Sequence, residues 1–164
     1  MNTATQNQAT LAILNTKSTE SGVGSIAQMI NTLDQTLSGT GANLINFSSA
    51  PFTYGSSITA STANKSFTVK DLGIYKVNVS ATITSVAAGI HSLIVNVGGV
   101  VLATAQQSAT ASAEKLAFNT STIVQFSSLE VPTITFTATQ PTAGAAVLSG
   151  TASTKCICTL ERIQ

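Results

Sequence analysis

The stretch from Gly73 to Ser85, GIYKVNVSATITS, constrains the fold more than any other part of the chain. Tyr75, Val77, Val79, Ala81 and Ile83 occupy every second position, with Lys76, Asn78, Ser80, Thr82 and Thr84 between them. Successive Cβ atoms of an extended backbone point to opposite faces, so this alternation predicts a long β-strand with one apolar side. Its polar side holds one charge and four small uncharged groups. The rest of the chain is equally sparing of charge. Only 8% of residues are charged, where soluble domains average about 25%. Apolar residues make up 43%, enough for a core, and Ser and Thr together roughly 28%. Disordered chains are charged and poor in β-branched residues, which is the reverse of this composition. A strand face with so little charge is expected to be covered in part by another surface.

The 164 residues suit one domain with an appendage. A formal charge of +1 without a basic stripe provides little for neutralising phosphates, so no nucleic-acid partner is expected. No run reaches the ~20 apolar residues of a membrane span. The opening MNTATQNQATLAILNTKSTE lacks a basic n-region and a clear h-region, and no cleaved signal peptide is expected. Residues 1–24 read as an extended or partly helical tail with one apolar island at Leu11, Ile13 and Leu14.

Residues 25–40 carry the one helix signal. Ser25 and Gln28 have capping-box spacing, Ile26, Ile30, Leu33 and Leu37 follow at intervals of 4, 3 and 4, and Gly39 stands where a helix ends. Such a helix either packs on its own domain or forms a short coiled-coil stem, and isoleucine at both core positions favours three strands. From residue 41 to 164 the pattern is β throughout. Gly98-Gly99 joins two apolar runs in a short hairpin, and Thr133–Thr139 alternates again. No helix separates these runs, so the architecture is an all-β antiparallel sandwich. The last strand, KCICTLERI, is apolar on both faces: Cys156, Cys158 and Leu160 on one, Ile157 and Ile163 on the other. One face meets the core, so the other calls for a partner subunit.

Groups for catalysis are scarce. Six carboxylates lie singly along the chain, and His91 stands alone at the start of a strand, where solvation at an edge or turn is its expected role. No nucleophile elbow is present, and Gly22-Val23-Gly24-Ser25 lacks the lysine of a phosphate loop. Cys156 and Cys158 share one strand face with parallel side chains, which disfavours a disulfide, and they lack further partners for a metal. No catalytic, cofactor-binding or metal residues are assigned.

Phe67–Ser80, with its G-I-Y-K-V core, resembles the G-x-Y-x-V strand of the tumour-necrosis-factor/C1q-like jelly roll. Ser92–Leu102 is similar to a hairpin of that family, with Gly98-Gly99 where Asn-Gly is usual. Thr122–Thr139 and the closing Ser153–Ile163 resemble further strands of it. The resemblance covers roughly residues 50 to 163. It implies a compact homotrimer with the first and last strands central in the inner sheet, which places Tyr75 and Ile157 in trimer or core packing. It also implies a position at the end of a stalk, and the phage examples are head fibres and capsid decoration proteins. The expected function is therefore a non-enzymatic virion structural protein on the capsid surface, its partners being two copies of itself and capsid proteins held through Leu11, Ile13 and Leu14. The alternative is a tip that binds a receptor or host-surface glycan, for which Tyr54 is the candidate contact.

Overall fold

The computed structural model describes residues 24–130, 133–142, 144–151 and 155–164. These residues form two antiparallel sheets face to face. The strands, in chain order, are β1 (Ile26–Asn31), β2 (Gln35–Thr36), β3 (Asn43–Leu44), β4 (Phe52–Tyr54), β5 (Ile58–Ser61), β6 (Ser66–Val69), β7 (Gly73–Thr84), β8 (Gly89–Val97), β9 (Val100–Ala109), β10 (Lys115–Phe126), β11 (Thr133–Thr139), β12 (Val147–Leu148) and β13 (Cys156–Arg162). β7 is the predicted long strand, and its odd-numbered residues from Tyr75 to Ile83 are buried. Along one side it pairs with β10 over its whole length, and along the other it pairs with β13 and then β12. β1 lies beside β13, with β4 beyond it, giving a seven-stranded sheet completed by β2 on β12. The second sheet has six strands in the order β5-β6-β11-β8-β9, with β3 also on β11.

The core lies between the sheets. Phe136 of β11 meets Phe67 and Phe47 edge to face, at centroid separations of 5.8 and 6.1 Å. Tyr75 and Phe126 make a third such pair at 5.6 Å. The Tyr75 hydroxyl donates to the Asp71 carbonyl at 2.7 Å, and burial is the main cause that pushes its pKa up. Cys156 and Cys158 are buried free thiols, and desolvation pushes the Cys158 pKa well above its usual range. Gly98 and Gly99 both adopt positive φ, 56° and 83°, and close the predicted two-residue hairpin between Val97 and Val100.

Two expectations are corrected. The helix over residues 25–40 does not form, since Ile26–Asn31 is strand β1. Ile26 and Ile30 are four residues apart, an even number, and so share one face of a strand as readily as one face of a helix. The deciding residues are Ala27, Met29 and Asn31, which are buried on the opposite side. β13 and β4 supply hydrogen-bond partners for this backbone, and tertiary pairing overrides a short helical propensity. Ser25 is no cap: its Oγ accepts from the Ser57 amide at 3.3 Å. Gly39, with φ of 64°, belongs to a turn between β2 and β3. His91, expected in solvent, is fully buried. Its Nδ1 lies 3.3 Å from the Gly89 carbonyl, and its Nε2 has no partner among the described residues.

The far ends of the sheets are tied by polar groups. Gln140, buried, reaches the Gly39 and Gly144 carbonyls through Nε2 and accepts from the Ala146 amide through Oε1. Gly150 sits against the 32–34 turn, and a Cβ added there would fall on the Leu33 backbone. Gly150→Ala is accordingly expected to destabilise the fold by about 3 kcal/mol or more. Gly41→Ala, with open space around it, is expected to stay within about 0.5 kcal/mol. Urea denaturation of both variants checks this contrast.

Candidate functional site: the outer face of the seven-stranded sheet

The register across β4, β1, β13, β7 and β10 fixes which side chains share the sheet's outer face, because directly opposed residues project to the same side. One row runs Tyr54, Ile26, Glu161, Lys76, Ile123. The next runs Phe52, Gln28, Thr159, Asn78, Ser121, and a third runs Ile30, Ile157, Ser80, Asn119. Tyr54, Ile123 and Phe52 are 67%, 59% and 57% exposed. Ile26, Ile30 and Ile157 are half-buried, with Ile30 directly opposite Ile157. Gln28 Nε2 lies 3.4 Å from Thr159 Oγ1 within the face.

Across these three rows the charges are Lys76 and Glu161, which stand opposite each other on neighbouring strands. Everything else is aliphatic, aromatic, hydroxyl or amide. This face presents two rings and four isoleucines around a centre of small hydrogen-bonding groups, an apolar grouping large enough to be of functional interest.

The face rests on a polar clasp at one end of the sandwich. Arg162, at the end of β13, donates through NH2 to the Leu72 carbonyl at 2.7 Å, and its NH1 lies 3.7 Å from Asp71 Oδ2. Ser57 Oγ donates to the same carboxylate oxygen at 2.6 Å. These bonds hold the end of β13 against the loops beside β5 and β7.

Of the residues singled out from sequence, Ile26, Ile30, Tyr54 and Ile157 come together on this face. Leu33 does not join them, being exposed in the turn after β1, and Leu37 is wholly buried in the core. Tyr75 is also a core residue. Leu11, Ile13 and Leu14 lie outside the described residues. Phe52 and Ile123 were missed. β4 is only three residues long, and Ile123 needed the continued alternation Ala117, Asn119, Ser121, Ile123 on β10 to be read as outward-facing. Among the described residues, no three His, Cys, Asp or Glu side chains converge on a point suited to a metal ion.

The two sheets, with first and last strands adjacent near the middle of one of them, define a tumour-necrosis-factor-like jelly roll. Solved structures with this fold confirm it. Murine APRIL at pH 5.0 superposes with a TM-score of 0.62 at 14% identity, over 84% of this chain and 98% of that one. The PRD1 vertex protein P5 gives 0.57 at 17% identity, over 87% and 99%. Eiger, a tumour necrosis factor from S. frugiperda, gives 0.56 at 10% identity, over 84% and 92%. No family model and no curated protein matches the sequence.

The two faces of β13 are expected to respond oppositely to charge. Cys158→Glu places an unpaired carboxylate in the core and should abolish cooperative folding, a loss above about 4 kcal/mol. Ile157→Glu, one residue away on the outer face, should leave the β-sheet circular dichroism and a cooperative melt intact.

Proposed function

We propose that this protein is a structural component of a virion, a homotrimer whose copies meet through the outer face of the seven-stranded sheet and whose N-terminal residues hold it to the capsid. The observation that carries this reading is the concentration of Phe52, Tyr54, Ile26, Ile30 and Ile157 on one nearly uncharged face of a jelly roll. Left in water, these side chains are a liability; between copies they become the driving force, since burial contributes about 25 cal/mol per Å² of apolar surface. Stable interfaces between copies bury on the order of 1,200–2,000 Å² or more. The phage vertex protein among its structural neighbours supports a virion setting for the same fold.

Nothing in the proposed mechanism is enzymatic. Binding and stabilisation suffice: three tails on one trimer engage a shell of repeated sites, and their combined avidity exceeds that of any single tail. Gly24, where the tail joins, donates to the Arg162 carbonyl at 3.3 Å, so the three tails leave from the end of the sandwich that carries the Arg162–Asp71 clasp. Tyr54 sits at that same end, opposite Ile26. Its position supports packing between copies over the alternative of a distal receptor contact.

The test is association with particles. The protein is expected to co-purify with intact virions. The variant Leu11→Ser, Ile13→Ser, Leu14→Ser should keep its solution mass and lose retention on particles by at least about tenfold. Absence from purified virions, or retention indifferent to the three substitutions, would overturn the anchored reading.

A further inference from the structure

At the other end of β1 lies a polar cup of about 320 Å³, built by the end of β1, the 32–36 segment and the loop before β4. Its size falls at the lower end of the ~300–1,000 Å³ range of small-molecule sites. The lining includes one exposed aliphatic side chain, Leu33, and otherwise amides, hydroxyls and one carboxylate, Asp34. Among the described residues no cationic side chain contributes to it.

The cup is pre-organised. Asn31, 1% exposed, accepts through Oδ1 from the Leu33 amide at 3.1 Å and from Ser48 Oγ at 3.2 Å. Ser48 Oγ in turn accepts from the Thr32 amide at 2.7 Å. Gln35 bridges the walls, accepting from the Asn46 amide and donating to the Leu44 carbonyl, both at 2.8 Å. Asp34 is fixed through Oδ1 by the Gly150 amide at 2.8 Å.

Within this frame some hydrogen-bonding capacity is unspent. The Nδ2 of Asn31 has no partner among the described residues, but it lies beneath the lining with no accessible surface of its own. The second oxygen of Asp34 and the side-chain amide of Asn46 also make no hydrogen bond among the described residues. The groups open to a ligand are thus one strong acceptor, Asp34, and one amide, Asn46, beside an aliphatic surface, with Asn31 buried behind them as part of the frame.

That set selects the chemistry of the ligand. A phosphate or carboxylate finds no cation and meets Asp34, so anions are disfavoured. A calcium ion seeks six to eight oxygen ligands, usually with several carboxylates, and the cup offers one. An apolar molecule would strand the amides. Adjacent hydroxyls each both donate and accept, and a pair of them meets a carboxylate oxygen and an amide N–H together. We propose that this cup binds one unit of a neutral saccharide, with adjacent hydroxyls shared between Asp34 and Asn46 and the ring's aliphatic side against Leu33.

The six residues of β1, at about 3.3 Å each, separate the cup from the point where the tail joins by roughly 20 Å. On a tail-anchored particle the cup therefore faces outward. Only this orientation rests on the virion reading; the binding itself does not.

The experiment is a titration of the full-length protein with neutral hexoses and N-acetylhexosamines, followed by amide and side-chain NMR, with glycerol, inorganic phosphate and calcium chloride as comparison probes. A saccharide should shift the Asn31 side-chain amide and the Asp34 and Asn46 signals, with a Kd on the order of 1 mM. Asp34→Asn, which keeps the side chain's size, and Asn46→Ala, whose side chain has no partner to lose, should each weaken binding at least about fivefold. Asn46→Ala should leave the denaturation midpoint unchanged, and Asp34→Asn, which keeps an Oδ1 acceptor for the Gly150 amide, should keep a cooperative melt. The proposal fails if no neutral saccharide shifts these signals at tens of millimolar. It fails equally if the shifts survive both substitutions, lie on the Phe52–Tyr54 face, or arise only with phosphate or calcium. Particle association is scored separately and is indifferent to the result.

Discussion

The pairing of β1 with β13 is the constraint on which the rest depends. From Ile26 opposite Glu161 to Asn31 opposite Cys156, the first and last long strands of the described chain run side by side inside the larger sheet. This one register settles three things. It seats Ala27, Met29, Cys156 and Cys158 in the core, sets Ile30 against Ile157 on the outer face, and delivers Asn31 to the edge of the polar cup. A slip by one residue would invert all three, because side-chain direction has a period of two. The Arg162 clasp at one end and the Gly150 contact with the 32–34 turn at the other hold that register in place.

Much of this was legible in the residues. β7 declared itself through unbroken alternation over ten positions, Tyr75 to Thr84, and the paired glycines at 98 and 99 marked a hairpin that both adopt with positive φ. β13 revealed two apolar faces, of which Cys156, Cys158 and Leu160 enter the core while Ile157 stays half-buried on the outer side. The failures have physical causes. A spacing of four fits one strand face as well as one helix face, so Ile26 and Ile30 left the choice open, and the answer lay in pairing with the distant strand Cys156–Arg162. His91 was placed in solvent because a polar residue beside glycine usually is; its burial depends on what packs above β8, which no local pattern encodes. The cup was invisible, since its residues are ordinary turn residues until the fold brings Ser48 to Asn31 and Gly150 to Asp34.

Low charge turned out to be a less selective clue than it first looked. The outer face of the six-stranded sheet is just as neutral, with Thr59, Thr68, Thr133, Thr135 and Thr137 across its strands. Hydroxyl-bearing, β-branched threonine suits a pleated surface facing water. The six-stranded sheet's outer face also carries large aliphatic side chains, Leu44, Ile90, Ile94 and Val101, so what distinguishes the seven-stranded sheet is its pair of exposed rings, Phe52 and Tyr54. The difference between the faces therefore lies in these rings, with charge sparse on both.

The most direct measurement is the solution mass of the full-length protein by light scattering, alongside the double variant Ile30→Glu, Ile157→Glu. The account requires the parent protein to have three times the 16.7 kDa chain mass and the variant to be a folded monomer. A parent protein that stays monomeric, or a variant that still trimerises, would contradict it.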